Sequence, residues 1–195
     1  MANRQDIIKA SAKLFAANGF SATSVSHISE AVGLSASAGG IYRHFKSKEA
    51  IFDAIFDDYF ENYTAFLTAV DSNMSSADGV DKRQLARTLV GLALQQAKMS
   101  DAVVKIYLKD QNRLKADHIA QAARIRENSV AAFEVVSGYI SGNDTTFDAE
   151  AVAGILIDSI NFRVSNLVPE FGVTEDRYLS ALTDLLYSLI GTDDI

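Results

Sequence analysis

Thr23 to Ala50, TSVSHISEAVGLSASAGGIYRHFKSKEA, is the stretch on which the fold turns. Ser24 is a helix-capping residue ahead of a short apolar-patterned run, Val25 to Val32, and Gly33 stops that run. A third run follows at roughly Ser37 to Phe45, and Ser47 caps a further helix. Two short helices joined across a glycine-permitted sharp turn form a helix-turn-helix, the unit that lays its second helix in the major groove of DNA. Ile28, Val32, Leu34, Ile41 and Phe45 are spaced so that three short helices can share a small core, and they read as scaffold. Tyr42, Arg43, His44, Lys46 and Lys48 remain for phosphates and base edges. Lys48 is informative alone, because a cation in the first turn of a helix opposes the macrodipole at a cost of about 0.3–1 kcal/mol. A specific partner is expected for it.

Outward from this stretch the pattern stays helical. A first helix is expected from about Asn3 to Asn18, with Ile7, Ala10 and Leu14 on one stripe, Ile8, Ala12 and Phe15 on the next, and Gly19 as a left-handed cap. The helix capped by Ser47 is expected to reach about Val70, with Phe52, Phe56, Tyr59, Tyr63 and Phe66 along it. The polar stretch Asp71 to Asp81 reads as a loop. Helices are expected at 81–99, 101–112 and 115–140, then from Phe147 to about Val168, ended by Pro169, and from Thr174 to Ile190. The reading is an all-α chain of about nine helices in two domains. Residues 1–48, with the start of the fourth helix to about 60, are expected to form a helix-turn-helix DNA-binding domain, and 49–195 a second, larger helical domain.

Composition agrees. The 195 residues are 48% hydrophobic, enough for a substantial core, with one proline and no alternating β-branched runs. With no cysteine, disulfides, thiolate metal sites and cysteine nucleophiles are excluded. The net charge of -7 would argue against a nucleic-acid partner if it were spread evenly. It is not: residues 1–50 hold six cations and three anions, a balance of +3, which leaves -10 for the remainder. MANRQDIIKA has no signal-peptide pattern, and the longest apolar run, Ala151 to Ile157, is too short to span a bilayer, so a cytoplasmic protein without a membrane partner is expected.

The run IYRHFKSKEA with the preceding AVGLS resembles the TetR/AcrR family of transcriptional regulators, whose pattern covers roughly residues 3–60 here. The rest of the chain is similar only in helix count and length. The resemblance implies a homodimeric repressor that binds a palindromic operator in double-stranded DNA and is released by a small-molecule effector. It implies phosphate contacts at Tyr42, His44 and Lys48, within a DNA-contacting set of Thr23, Ser24, Ser35, Ala36, Ser37, Ala38, Gly39, Gly40, Tyr42, Arg43, His44, Lys46 and Lys48. One departure stands out: Gly33 to Tyr42 is two residues longer than is usual in the family. Two residues inserted within a helix would rotate every later side chain about the axis by about 200°. A longer turn, or a recognition helix extended at its N-terminal end, keeps Tyr42 in phase and is the reading adopted, leaving open which of Ser35 to Gly40 faces bases.

The last two helices carry broad apolar stripes. Two such helices from each protomer can form a four-helix interface, as the family does, and the expected interface residues are Val152, Leu156, Ile160, Leu167, Leu182, Leu185, Leu186 and Leu189. Burial within one chain is the competing reading. The resemblance also implies an effector pocket, for which Phe60, Tyr63, Phe66, Met99, Tyr107, Phe133 and Asn161 are candidates, although aromatics and methionine at helical spacing are usually plain core. Lys105, Lys109 and Arg113, at four-residue steps, suit either an anionic ligand or a solvated face.

An enzyme or metal-binding bundle is the runner-up, resting on the acidic stripe Asp53, Asp57 and Glu61. No histidine joins them at a ligand spacing, and no phosphate loop or nucleophile elbow occurs, so no catalytic residue, metal or cofactor is assigned. A helical adaptor that binds protein partners is the third reading.

Overall fold

A computed structural model describes residues 2–34, 39–74, 79, 81–141, 148–165 and 172–190. Among these residues the chain is all-helical, with eight α-helices: α1 (Arg4–Asn18), α2 (Val25–Ala31), α3 (Gly39–Tyr42), α4 (Lys48–Met74), α5 (Lys82–Lys109), α6 (Ala116–Ser141), α7 (Ala149–Val164) and α8 (Glu175–Ile190).

The chain divides into two units, Met1–Asn62 with Ser100–Gln121, and Tyr63–Met99 with Ala122–Ile195. The first unit also holds the end of α5 and the start of α6. Helices α4, α5 and α6 contribute to both units.

Local signals explain most helix ends. Asn3 caps α1 reciprocally with Asp6, each side chain accepting the other's backbone N–H at 2.9 Å. Ser24 and His27 do the same for α2, where the Ser24 Oγ accepts the His27 N–H at 3.1 Å and the His27 Nδ1 accepts the Ser24 N–H at 3.3 Å. Gly19 ends α1 at φ 81° and ψ 160°, so its φ is positive but the cap is not left-handed α as expected. Gly33, at φ 69°, makes the turn after α2.

Three expectations are corrected. Helix α4 runs four residues beyond Val70, into the stretch read as loop. The break between 99 and 101 does not occur: α5 passes through Ser100, which is buried, and an Asp101–Lys105 pair at 2.8 Å braces the next turn. Without glycine or proline there, nothing stops the helix, which reduces the expected nine helices to eight. The third helix is also shorter than expected, four residues.

In the N-terminal unit, Ile7, Ile8 and Phe15 of α1 meet Ile28, Ile41, Phe45, Ile51 and Phe56, with Val103 and Ile106 from α5. Aromatic rings run through it: Phe15 to Phe20 at 5.2 Å, Phe20 edge-on to Phe52 at 5.3 Å, Phe52 to Phe56 at 5.2 Å, and Phe56 stacked on His118 at 4.7 Å. The second unit is built on Val70, Val90, Leu94, Leu156, Ile160, Leu182 and Leu186. Ion pairs Arg83–Asp184, Arg87–Asp176 at 3.0 Å and Lys98–Glu175 at 2.6 Å tie α5 to α8 at its surface, where such pairs contribute little.

Candidate nucleic-acid interface

The reading segment is held from behind by two residues four apart. Ile41 is fully buried and Phe45 nearly so, while Tyr42, Arg43, His44 and Lys46 are exposed, Tyr42 by 52%. One flank of the chain faces the core and the other presents a phenol, a guanidinium, an imidazole and an ammonium. Tyr42 is therefore not core, and Tyr42 to Lys46 alternate with buried Ile41 and Phe45 as expected with the two extra residues before them. Ser35, Ala36, Ser37 and Ala38 lie outside the described residues. Gly39 is exposed. Gly40 packs closely on Leu34, whose Cδ1, the mobile tip of a half-buried side chain, would lie 2.8 Å from a Cβ placed there.

Two residues of the sequence-derived set have other occupations. Thr23 is fully buried, and its Oγ1 donates to the Gly19 carbonyl at 2.9 Å. This removes its side chain from the candidate DNA contacts. Ser24 is exposed, and its hydroxyl is the α2 cap.

Lys48 has the partner its position called for, within the chain. Its Nζ donates to the carbonyls of Phe20 and Thr23, both at 2.8 Å, and lies 4.2 Å from the centre of the Phe20 ring. Those carbonyls and the ring offset the macrodipole. An ammonium has three protons, so one donor is left for an external anion.

Phe20 is gripped from the other side too. Its N–H donates to the Asp110 carboxylate at 3.0 Å, and the Arg113 guanidinium sits 4.4 Å over its ring while donating to the Ser21 Oγ at 3.1 Å. Lys109 donates to the carbonyls of Ala16 and Ala17, at 2.6 and 2.8 Å, satisfying the last turn of α1. The stepped cations Lys105, Lys109 and Arg113 thus form neither an anion site nor a solvated face: Lys105 pairs with Asp101, and the other two clamp the turn between α1 and α2. No sequence signal marks this clamp, because its partners, two backbone carbonyls, a serine hydroxyl and a ring, lie some ninety residues away.

Of the acidic stripe only Asp53 is paired among the described residues, while Asp57 and Glu61 are exposed. Asp53 pairs with Lys115 at 2.5 Å and lies 3.7 Å from the His118 Nε2, and Asp58 accepts from Gln5 at 2.7 Å. Hydrogen bonding to Asp53 holds the Lys115 ammonium above its ordinary pKa. Among the described residues no cluster of histidine and carboxylates could hold a metal, and no helix is long and apolar enough to cross a membrane.

The effector candidates are divided. Phe60 and Tyr107 fall in the N-terminal unit, and Tyr63, Phe66, Met99, Phe133 and Asn161 in the second. Phe60 packs against the first core; Phe66 and Phe133 pack against the second. Tyr63 is buried and hydrogen-bonded to the Ser129 Oγ, and burial pushes its phenol pKa up. Met99 is exposed, and Tyr107 and Asn161 are half-buried.

The expected dimer stripe is split by the structure. Leu156, Ile160, Leu182 and Leu186 are buried in the core of their own unit, with Val152 packed against them, which agrees with the competing reading of burial within one chain. Leu185 is exposed by 48%, together with Ile155 by 67% and Phe162 by 49%, two residues outside the expected interface set. Leu167 lies outside the described residues, as does the side chain of Leu189.

A family model for bacterial regulatory proteins of the tetR family matches residues 7–55. No curated protein sequence matches the chain. Among solved structures, the chain is similar to a bacterial regulatory protein in the tetR family from Rhodococcus RHA1, at 24% identity and a TM-score of 0.71 over 98% of each chain. It is similar to the ketosteroid transcriptional regulator KstR2 of Mycobacterium tuberculosis, at 18% identity and TM-score 0.69, covering 98% of this chain and 96% of that one. A third is the transcriptional regulator FadR from Bacillus subtilis in complex with stearoyl-CoA, at 17% identity and TM-score 0.62, covering 99% of this chain and 100% of that one. Residues 7–55 thus match the N-terminal domain model of the tetR family, and the fold is shared along the chain's length with these solved structures.

Proposed function

We propose that the protein is a homodimeric repressor that docks two reading heads on a two-fold-symmetric operator in double-stranded DNA and releases it when a small molecule binds. The observation that carries DNA contact is the exposed segment Tyr42, Arg43, His44 and Lys46, anchored by buried Ile41 and Phe45, within residues 1–50 whose charge is +3 in an acidic chain. Arg43 and Lys46 supply charge to phosphates, and Tyr42 and His44 supply hydrogen bonds. Ser24, Gly39 and the third donor of Lys48 are secondary contacts, and Ser35 to Ala38 stay candidates on their sequence alone. Such a head reads half-sites about 34–36 Å apart, or a multiple of that, only in pairs.

Ile155, Phe162 and Leu185, exposed on the last two helices, favour a second copy as the cover for that apolar surface. An effector bound among the side chains of the second unit would act on the head through α4, α5 and α6, whose residues belong to both units. The relative solved with stearoyl-CoA supports a small-molecule ligand of this kind. Its chemistry here is not assigned.

The test is DNA binding by fluorescence anisotropy across a salt series. Arg43→Ala and Lys46→Ala should each weaken binding and lower the slope of log affinity against log salt by about one unit, with helicity retained. Unchanged slopes in both variants would remove the assignment.

A further inference from the structure

Arg4 opens α1 and is exposed. Its guanidinium carbon lies 5.0 Å from the centre of the Phe45 ring, and Phe45 is the buried residue between exposed His44 and Lys46. The ring contact therefore brings a cation from the start of the chain to the edge of the reading segment, although the two are some forty residues apart in sequence.

Its charge is unanswered where the comparable charges are answered. No ion pair or hydrogen bond engages the Arg4 guanidinium among the described residues. The nearest acid in sequence, Asp6, is occupied by the Asn3 N–H at 2.9 Å. Like Lys48 in α4, Arg4 stands in the first turn of a helix and opposes its macrodipole. Lys48 has two carbonyls in compensation, and Lys109 and Arg113 are likewise occupied. Arg4 has only the face of a ring, which restrains the side chain and leaves its N–H donors for a partner. A guanidinium so restrained loses less freedom on binding, and its planar donors match two oxygens of one phosphate.

We infer that Arg4 is a further DNA contact, binding a backbone phosphate beside the stretch read by Tyr42 to Lys46, with Phe45 as its positioning residue. The inference rests on the DNA-binding reading above. It adds a residue from α1 that the helix-turn-helix pattern alone does not assign.

The experiment measures anisotropy of the full-length protein with a fluorescent duplex across a salt series, for wild type, Arg4→Gln, Arg4→Lys and the charge-matched control Arg124→Gln on α6. Arg4→Gln should weaken binding severalfold for every duplex sequence and reduce the salt slope by about one unit, while Arg124→Gln leaves the slope at the wild-type value. Arg4→Lys should keep the slope and bind with intermediate affinity, because the charge survives without the fork. Wild-type binding with an unchanged slope in Arg4→Gln overturns the inference, and a lowered melting temperature with that unchanged slope identifies the ring contact as packing alone. If the wild type binds no duplex at any salt, the DNA-binding reading itself fails and takes the inference with it.

Discussion

Replacing Lys48 by Met keeps the aliphatic stem and deletes the ammonium, and its consequence separates two roles for this residue. The structure gives that ammonium two charge-assisted hydrogen bonds, to the Phe20 and Thr23 carbonyls, and a position over the Phe20 ring. Hydrogen bonds to charged groups contribute about 1.5–3 kcal/mol each, so the pair sums to about 3–6 kcal/mol before correction. Lys48 is half-buried, so water replaces part of that, and removing a cation from the first turn of α4 returns about 0.3–1 kcal/mol. The expected net loss is about 2–4 kcal/mol. For a chain of this size that lowers the melting temperature by about 5–15 °C, read by circular dichroism of the purified variant. If Lys48 served only as a phosphate contact, the melting temperature would stay within about 1 °C of wild type and only the salt slope of DNA binding would fall, by about one unit. That outcome would refute the carbonyl-clamp reasoning.

Other substitutions probe the remaining elements. Asp110→Ala leaves the buried Phe20 N–H without its acceptor, and should cost about 1–3 kcal/mol in a denaturant titration while leaving the dimer intact. Ile155→Lys or Phe162→Lys should give folded monomers in sedimentation, whereas Leu186→Lys, which buries an unpaired charge in the core of its own unit, should lose helicity outright. Monomeric wild type at micromolar concentration would sink the interface assignment. Tyr63, whose phenol pKa is raised by burial, favours the neutral form in the folded state, so its contribution is full below its ordinary value of 10.0 and is lost as pH rises through the higher folded value. Tyr63→Phe should therefore flatten the alkaline fall in stability, and an identical alkaline profile in the variant would contradict this.

How much of the molecule is legible in its sequence depends on whether the deciding interaction is local. Asn3 and Ser24 announce their helices because a cap is made with residues three positions on, and Gly33 announces its turn because only its own backbone is involved. Tyr42 to Lys46 stand out as a reading segment because Ile41 and Phe45 fix its phase at four-residue spacing. The roles of Lys48, Lys109 and Arg113 are not readable, since their partners are backbone atoms or a ring on other elements. Periodicity likewise marks the apolar stripes of α7 and α8, but a helix with apolar residues on two faces does not say which face meets its own chain. Leu186 and Leu185 are neighbours in sequence, and one is core while the other is surface. The expected break at Ser100 fails for a simpler reason, that polar residues alone do not end a helix whose buried side continues.

Selecting bound sequences from a pool of random duplexes tests whether the segment anchored by Ile41 and Phe45 reads DNA. The wild-type protein should enrich a two-fold-symmetric consensus with half-sites about 34–36 Å apart or a multiple of that, lost when Arg43 and Lys46 are both replaced by Ala. A pool that emerges unenriched from the wild-type protein, or enriched equally by the double variant, would contradict that reading.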